Sequence, residues 1–223
     1  MRLLLVAALL LVCTACEDFR VKDLAKNDIS FVADAHIRQM RAQQEALLVK
    51  LYKRNPRELA KATGETIESR LASLAPHLSL AFDELDFAKN TDAMLLAFSA
   101  DYQGDRVFAL MAGLVGMIRA SYGGREEFFM LQALDEQALY NSARNIEILS
   151  WRLRHRQGAD GKVYLLTTGA DSDTGDLNLS FERIFGKMIV MQDMMASIAA
   201  ERNKRAINMV VHGVARMVFL PVP

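Results

Sequence analysis

The chain is poor in the residues that cross-link, break or connect structure. Its 223 residues include two cysteines, four prolines and twelve glycines. So few prolines and glycines exclude a linker-dominated protein, and an apolar share of 52% is enough to bury a core, which excludes disorder. The length fits one or at most two globular domains.

Net charge is also absent, because 27 basic residues balance 27 acidic ones. A nucleic-acid-binding protein needs a basic excess gathered on one face to neutralise phosphates. We therefore expect no nucleic-acid partner for this chain.

The first sixteen residues contain the most specific pattern in the sequence. Arg2 supplies a positive charge, residues 3–12 form an unbroken apolar run, and the small residues Thr14 and Ala15 directly precede Cys16. This order is typical of a secretory signal. Ten apolar residues in a helix cover about 15 Å, half of a bilayer core, so export followed by cleavage is predicted.

The stretch from Val12 to Cys16 resembles the lipobox of bacterial lipoproteins, in which small residues precede an invariant cysteine that becomes acylated. The resemblance implies a signal peptide over 1–15, lipidation of Cys16, a short tether over 16–27 and an envelope domain over 28–223. In that family an Asp directly after the cysteine is the usual signal for inner-membrane retention. Glu17 holds that place here, so the resemblance favours the outer membrane, facing the periplasm.

The mature chain reads as a series of helices. Apolar spacing predicts a first helix over 28–54 that ends at Asn55 and Pro56, with Asn55 as the cap of the next helix. The apolar segment 107–118 predicts a central buried helix in preference to a membrane-dipping element. The other helices are predicted at 56–74, at 78–89, from Asp92 with Thr91 as its cap, and at 125–156 with a buried stripe of Leu139, Ala143, Ile146, Leu149 and Leu153.

One β signal interrupts the helices. Residues 163–168 are β-branched and aromatic, and residues 177–181 alternate after a polar turn, which predicts a β-hairpin over about 163–181. A final helix is predicted with the packing face Phe181, Ile184, Met188, Met191, Met195 and Ile198. The predicted fold is mainly α, a single helical-bundle-like domain of about six helices with one inserted hairpin.

Three motifs suggest metal or catalytic chemistry, and each has a simpler interpretation. Met188, Met191 and Met195 could offer thioethers to Cu(I), but they lie on the predicted packing face, where methionine fills a core. Residues 171–182 resemble a calcium loop at its ends but not in its middle, and an acidic turn explains them. The triplet 173–175 matches that of aspartic proteases, but it occurs once in a helical chain. No metal is predicted.

Enzyme signatures are absent from the sequence. The chain contains no G-x-S-x-G, P-loop, G-x-G-x-x-G or H-E-x-x-H pattern, and no cofactor is predicted. His212 and Arg216 lie one turn apart in the apolar segment 207–220, where they would meet a carboxylate or mark a polar spot in an apolar pocket. The four histidines are His36, His77, His155 and His212.

Basic residues form two groups. The first is Arg152, Arg154 and Arg156, with His155, and the second is Arg202, Lys204 and Arg205. Helix dipoles and solvation explain both groups. The functional alternative is contact with anionic lipid head groups, because a short tether would hold the domain close to a membrane.

Three functions follow, in decreasing order of support. The first is a membrane-tethered, non-enzymatic accessory or scaffold protein that binds another protein of the bacterial envelope. The second is a binding module for a lipid or other apolar ligand, suggested by segments 107–118 and 207–220. The third is an envelope hydrolase, which would need a histidine within about 3 Å of a carboxylate or serine.

Overall fold

The computed structural model describes residues 28–75, 80–125, 134–169, 175, 177–207 and 218–222. The predicted signal peptide, Cys16 and the tether to residue 27 lie outside this part of the chain. His77, His212 and Arg216 also lie outside it, as does most of the predicted polar turn.

The described part of the chain is mainly helical, which confirms the predicted fold class. Seven α-helices are present in it, together with a 3₁₀ turn at Asp83–Leu85. None of these helices is long and apolar enough to cross a membrane. The helices are α1 (Asp28–Arg54), α2 (Pro56–Leu59), α3 (Ile67–Ser73), α4 (Asn90–Leu96), α5 (Arg106–Ser121), α6 (Glu136–His155) and α7 (Ser180–Asn203).

Helix α5 forms the centre of the core, as its all-round apolar sequence predicts. It contacts α1, α2, α4 and α6, and its residues 107–114 are buried without exception. Gly113 permits the close approach of α4, because a Cβ atom there would lie 2.4 Å from the carbonyl oxygen of Asn90. The glycine therefore sets the spacing between these two helices.

Helices α1 and α6 both run antiparallel to α7. Arg144 in α6 contacts Asp193 in the middle of α7 at 2.6 Å, and Asn203 at the end of α7 reaches back to Glu136 at 2.7 Å. On the other side, the ammonium of Lys50 lies 5.2 Å from the ring centroid of Phe181. The predicted buried stripe of α6 and packing face of α7 both lie in the core or against it.

The described residues do not support the predicted β-hairpin. Residues 163–169 form no strand. Val163 forms a β-bridge with Gln157, Leu177 is also a bridge residue, and the Asn178 N–H donates to the Gly169 carbonyl oxygen at 3.0 Å. Phe181, expected to end the second strand, lies in the first turn of α7. Residues 165–167 lie on the helices without forming a strand, with Leu165 and Thr167 buried and Leu166 exposed.

Several helix boundaries also differ from their predictions. The helix expected over 56–74 divides into α2 and α3, because Gly64 turns the chain with a positive φ of 82°. Thr66 and Ser69 then start α3 by capping each other's backbone N–H groups. Helix α4 begins at Asn90 and ends at Leu96, and α6 begins at Glu136 rather than at 125. Only the 3₁₀ turn occupies the described part of the range 78–89.

Candidate functional site

The two predicted basic groups lie at opposite ends of the α6–α7 pair. Arg154 and Arg156 are exposed at the end of α6, whereas Lys204 and Arg205 are exposed, and Arg202 half-buried, at the end of α7. Because the two helices are antiparallel and α6 has 20 residues, about 30 Å separates the groups. They form two small basic patches and not one continuous surface.

Arg152 does not belong to either patch. It is 8% exposed, and its guanidinium carbon lies 4.8 Å from the ring centroid of Phe219, in the C-terminal segment 218–222. Burial lowers the pKa of Arg152, and the neighbouring charge of Arg156 lowers it further. The side chain packs segment 218–222 against α6 and leaves little of itself exposed.

The methionine cluster is divided between the core and a surface groove. Met188 and Met195 are fully buried, in agreement with their interpretation as core residues, whereas Met194 is exposed. Met191 contacts His36, which α1 contributes from 155 positions earlier in the sequence. In the described part of the chain, no three His, Cys, Asp or Glu side chains gather in a metal-binding group.

A wide open groove lies beside Met191, between α1 and α7. We call it the α1–α7 groove; its volume is about 570 Å³. Val190 and Met194 line it while remaining 63% and 48% exposed. Burial lowers the pKa of His36 in its wall, although a hydrogen bond with the backbone of Met191 partly opposes this effect. The wall consists of Ala35, His36, Gln39, Gln43, Gly186, Lys187, Val190, Met191 and Met194.

A second cleft lies on another face of α1. We call it the α1–α5 cleft; it consists of two adjoining hollows of about 60 and 210 Å³. Both hollows are lined by Arg41, Gln44, Leu74 and Val115. Gln44 is only 7% exposed, and its Nε2 atom has no hydrogen-bond partner.

A buried ionic cluster joins α1, α3 and α5. The Asp105 carboxylate accepts hydrogen bonds from the Tyr52 hydroxyl at 2.7 Å and from the Phe108 N–H at 3.0 Å, so it also caps α5. Arg70 lies 3.7 Å from the same carboxylate and forms a two-pronged ion pair with Glu84 at 2.5 and 2.9 Å. Burial raises the pKa of Asp105, whereas the hydrogen bonds from Phe108 and Tyr52 and the charge of Arg70 lower it.

A second polar cluster is buried where α5, α6 and α7 meet. The amide of Gln192, which is fully buried, accepts a hydrogen bond from the Tyr122 hydroxyl and donates to the hydroxyls of Ser121 and Ser142. Every polar atom of the Gln192 side chain therefore has a protein partner. This arrangement fixes the register of three helices and offers no group to a ligand.

The sequence analysis predicted neither the α1–α7 groove nor the α1–α5 cleft, and it predicted neither buried cluster. Their members come from helices that are distant in the sequence, so no spacing rule brings them together. One signal was available, since Gln44 is a polar residue on the apolar face of α1.

Of the two histidines in the described ranges, His36 lies in the wall of the α1–α7 groove, and His155 stacks on Trp151 with ring centroids 4.7 Å apart.

Comparisons with protein-family models, curated proteins and solved structures found no match to this chain. Interpretation of its function therefore depends on the chemistry of its surfaces.

Proposed function

We propose that this protein is a lipid-anchored accessory or scaffold protein of the bacterial envelope, and that its helical domain binds a helix of another envelope protein. The observation that supports this proposal is the α1–α7 groove, in which Val190 and Met194 present apolar side chains to solvent. An exposed apolar groove with polar residues around it is the kind of surface that proteins use for partners.

The shape and chemistry of the groove fit an amphipathic helix. Two helices form its walls, and a partner helix laid between them would place its apolar residues, spaced three and four apart, against Val190, Met191 and Met194. Gln39 and Gln43 can hydrogen-bond to its polar flank. Lys187 favours an acidic residue on the partner at that end of the groove.

The lipobox-like leader supports the location in this proposal. Residues 17–27 span at most about 40 Å when fully extended, so acylation of Cys16 would hold the domain near the membrane surface. Cys16→Ser removes the acylated sulfur. We expect this variant to lose acyl labelling and processing after Ala15, and unchanged labelling would contradict the lipid anchor.

The protein-binding role is tested by placing a photo-crosslinking amino acid at Val190 or Met194 in the full chain in its bacterial host. We expect one recurrent crosslinked protein from both positions. The matched control is Leu177, which is 64% exposed but lies outside the groove. Val190→Asp should abolish capture of the same protein from position 194, whereas Leu177→Asp should not. Identical crosslinking from the groove and from Leu177 would contradict the proposal.

A further inference from the structure

The α1–α5 cleft has an apolar interior formed by three helices. Its walls include Met40, Leu74, Met111, Val115 and Ile118, of which Met111 is fully buried. The larger hollow, about 210 Å³, exceeds the roughly 150 Å³ cavity that admits a benzene ring in other proteins. The cleft therefore has room for part of a hydrocarbon chain.

Gln44 lines this cleft and carries a buried hydrogen-bond donor. It is more than nine-tenths buried, and its Nε2 atom is unpartnered. A buried amide without a partner is costly, because it loses its hydrogen bonds to water and gains none from the protein. An oxygen atom of a bound molecule would remove this cost.

The charges that line the cleft favour an anion. Among the described residues that line it, Arg41, Arg119 and Arg125 are positively charged and Glu45 is negatively charged. Arg41 lies three residues before Gln44 on α1, so the two side chains share one face of the helix. Arg119 also donates to the carbonyl oxygen of Ala75 at 3.2 Å, which holds its guanidinium at the wall shared with α3.

We propose that the α1–α5 cleft binds an amphiphile whose hydrocarbon chain lies along the apolar walls and whose anionic oxygen accepts a hydrogen bond from the Gln44 amide. Arg41 and Arg119 stabilise the negative charge of the head group. A free fatty acid and an anionic lysophospholipid share this chemistry. The site is separate from the α1–α7 groove, since the two share no lining residue.

The test measures binding of three probes to the full chain, held in an amphiphilic polymer, by calorimetry. The probes are dodecanoate, dodecanol and a lysophosphatidylglycerol with a twelve-carbon chain. We expect dodecanoate to bind at least tenfold more tightly than dodecanol, because only the carboxylate offers a charged acceptor. Tighter binding of the lysophospholipid than of dodecanoate would support a membrane lipid as the natural source, and the reverse order would support a free fatty acid.

Variants separate the Gln44 amide from general packing. Gln44→Met keeps a side chain of similar size and should reduce the preference for dodecanoate over dodecanol about tenfold, while dodecanol binding changes little. The matched control is Gln43→Met, whose side chain lines the α1–α7 groove and should leave all three affinities unchanged. Arg41→Gln, at a half-buried position, should reduce dodecanoate affinity several-fold. If Gln44→Met does not fold, this variant still tests the preference for dodecanoate over dodecanol.

Two results would overturn the proposal. The first is a folded wild-type protein that binds dodecanoate no more tightly than dodecanol, or binds neither. The second is an unchanged preference for dodecanoate in both Gln44→Met and Arg41→Gln. Circular dichroism and the urea midpoint of each variant establish that the protein used is folded.

Discussion

The side chain of Asn55 pairs with the backbone of Leu166 in both directions. Its Oδ1 atom accepts the Leu166 N–H at 2.7 Å, and its Nδ2 atom donates to the Leu166 carbonyl at 2.9 Å, across 111 residues of sequence. The same amide also donates to the Leu51 carbonyl at the end of α1 at 2.9 Å. One side chain therefore takes the place of a neighbouring strand and holds an extended segment against the helices.

Asn55→Asp should destabilise the protein by about 2–4 kcal/mol, because the carboxylate cannot donate to the carbonyls of Leu51 and Leu166 and instead repels them. The free energy of unfolding from urea titrations at pH 7 measures the loss. Gln39→Glu, a charge-matched change at an exposed position of α1, should shift it by less than about 0.5 kcal/mol. Equal effects of the two changes would show that the pairing contributes nothing specific.

This pairing explains why the sequence predicted a strand where none forms. Residues 163–168 are β-branched and aromatic, and they are buried in alternation as in a strand, since Leu165 and Thr167 face the helices and Leu166 faces solvent. Periodicity reports which side chains are buried, but not which group satisfies the backbone. Asn55 was interpreted as a helix cap, a role that its side chain does not perform in the structure.

Local patterns were sufficient where one element alone determines the outcome. The bounds of α1 and the buried stripe of α6 follow from helical spacing, and α5 follows from its all-round apolar sequence. The α1–α7 groove and α1–α5 cleft could not be predicted, because each depends on how far apart packed helices lie. That spacing is set by contacts such as Gly113 with Asn90, whose partners are not identifiable from sequence spacing.

Gly113→Ala should destabilise the protein by at least about 2 kcal/mol, because the new methyl group would lie 2.4 Å from the Asn90 carbonyl oxygen and 2.5 Å from the Met94 nitrogen. The backbone of α4 would have to move away. Thermal and urea unfolding measure the effect, and crosslinking between α4 and α5 would detect the movement.

The matched control for this change is Gly186→Ala in α7. A methyl group there meets no atom within 4 Å, so the change should stabilise the helix by about 0.5–1 kcal/mol. The two identical substitutions are thus expected to have opposite signs. A neutral or stabilising Gly113→Ala would contradict the close packing of α4 on α5.

Arg70→Leu should destabilise the protein by about 3–5 kcal/mol at pH 7, because it leaves the Asp105 carboxylate buried without its positive neighbour. The pKa of Asp105 is already raised by burial and should rise further in this variant. A folded-state pKa above the unfolded value means that this group stabilises the fold progressively as the pH falls. The loss should therefore be smaller at pH 5 than at pH 7.

Urea midpoints at both pH values test this sign, and Arg70→Leu/Asp105→Asn is the control. The double variant has no carboxylate to titrate at position 105. Its loss of unfolding free energy relative to Asp105→Asn should therefore not be smaller at pH 5 than at pH 7. A loss in Arg70→Leu that is equal at pH 5 and pH 7 would show that Asp105 does not respond to the charge of Arg70.

His36 should make the protein less stable in acid. Burial in the wall of the α1–α7 groove lowers its pKa from the ordinary value of 6.5, so the folded state takes up a proton less readily than the unfolded state. The contribution of neutral His36 to the free energy of unfolding is fully present above pH 6.5 and is lost as the pH falls below 6.5. His36→Gln keeps a polar side chain without a titrating group, so the stability of the wild type relative to this variant should decrease between pH 7.5 and pH 5. Urea midpoints at half-unit pH steps measure the difference, which would stay constant if His36 were solvated in the folded protein.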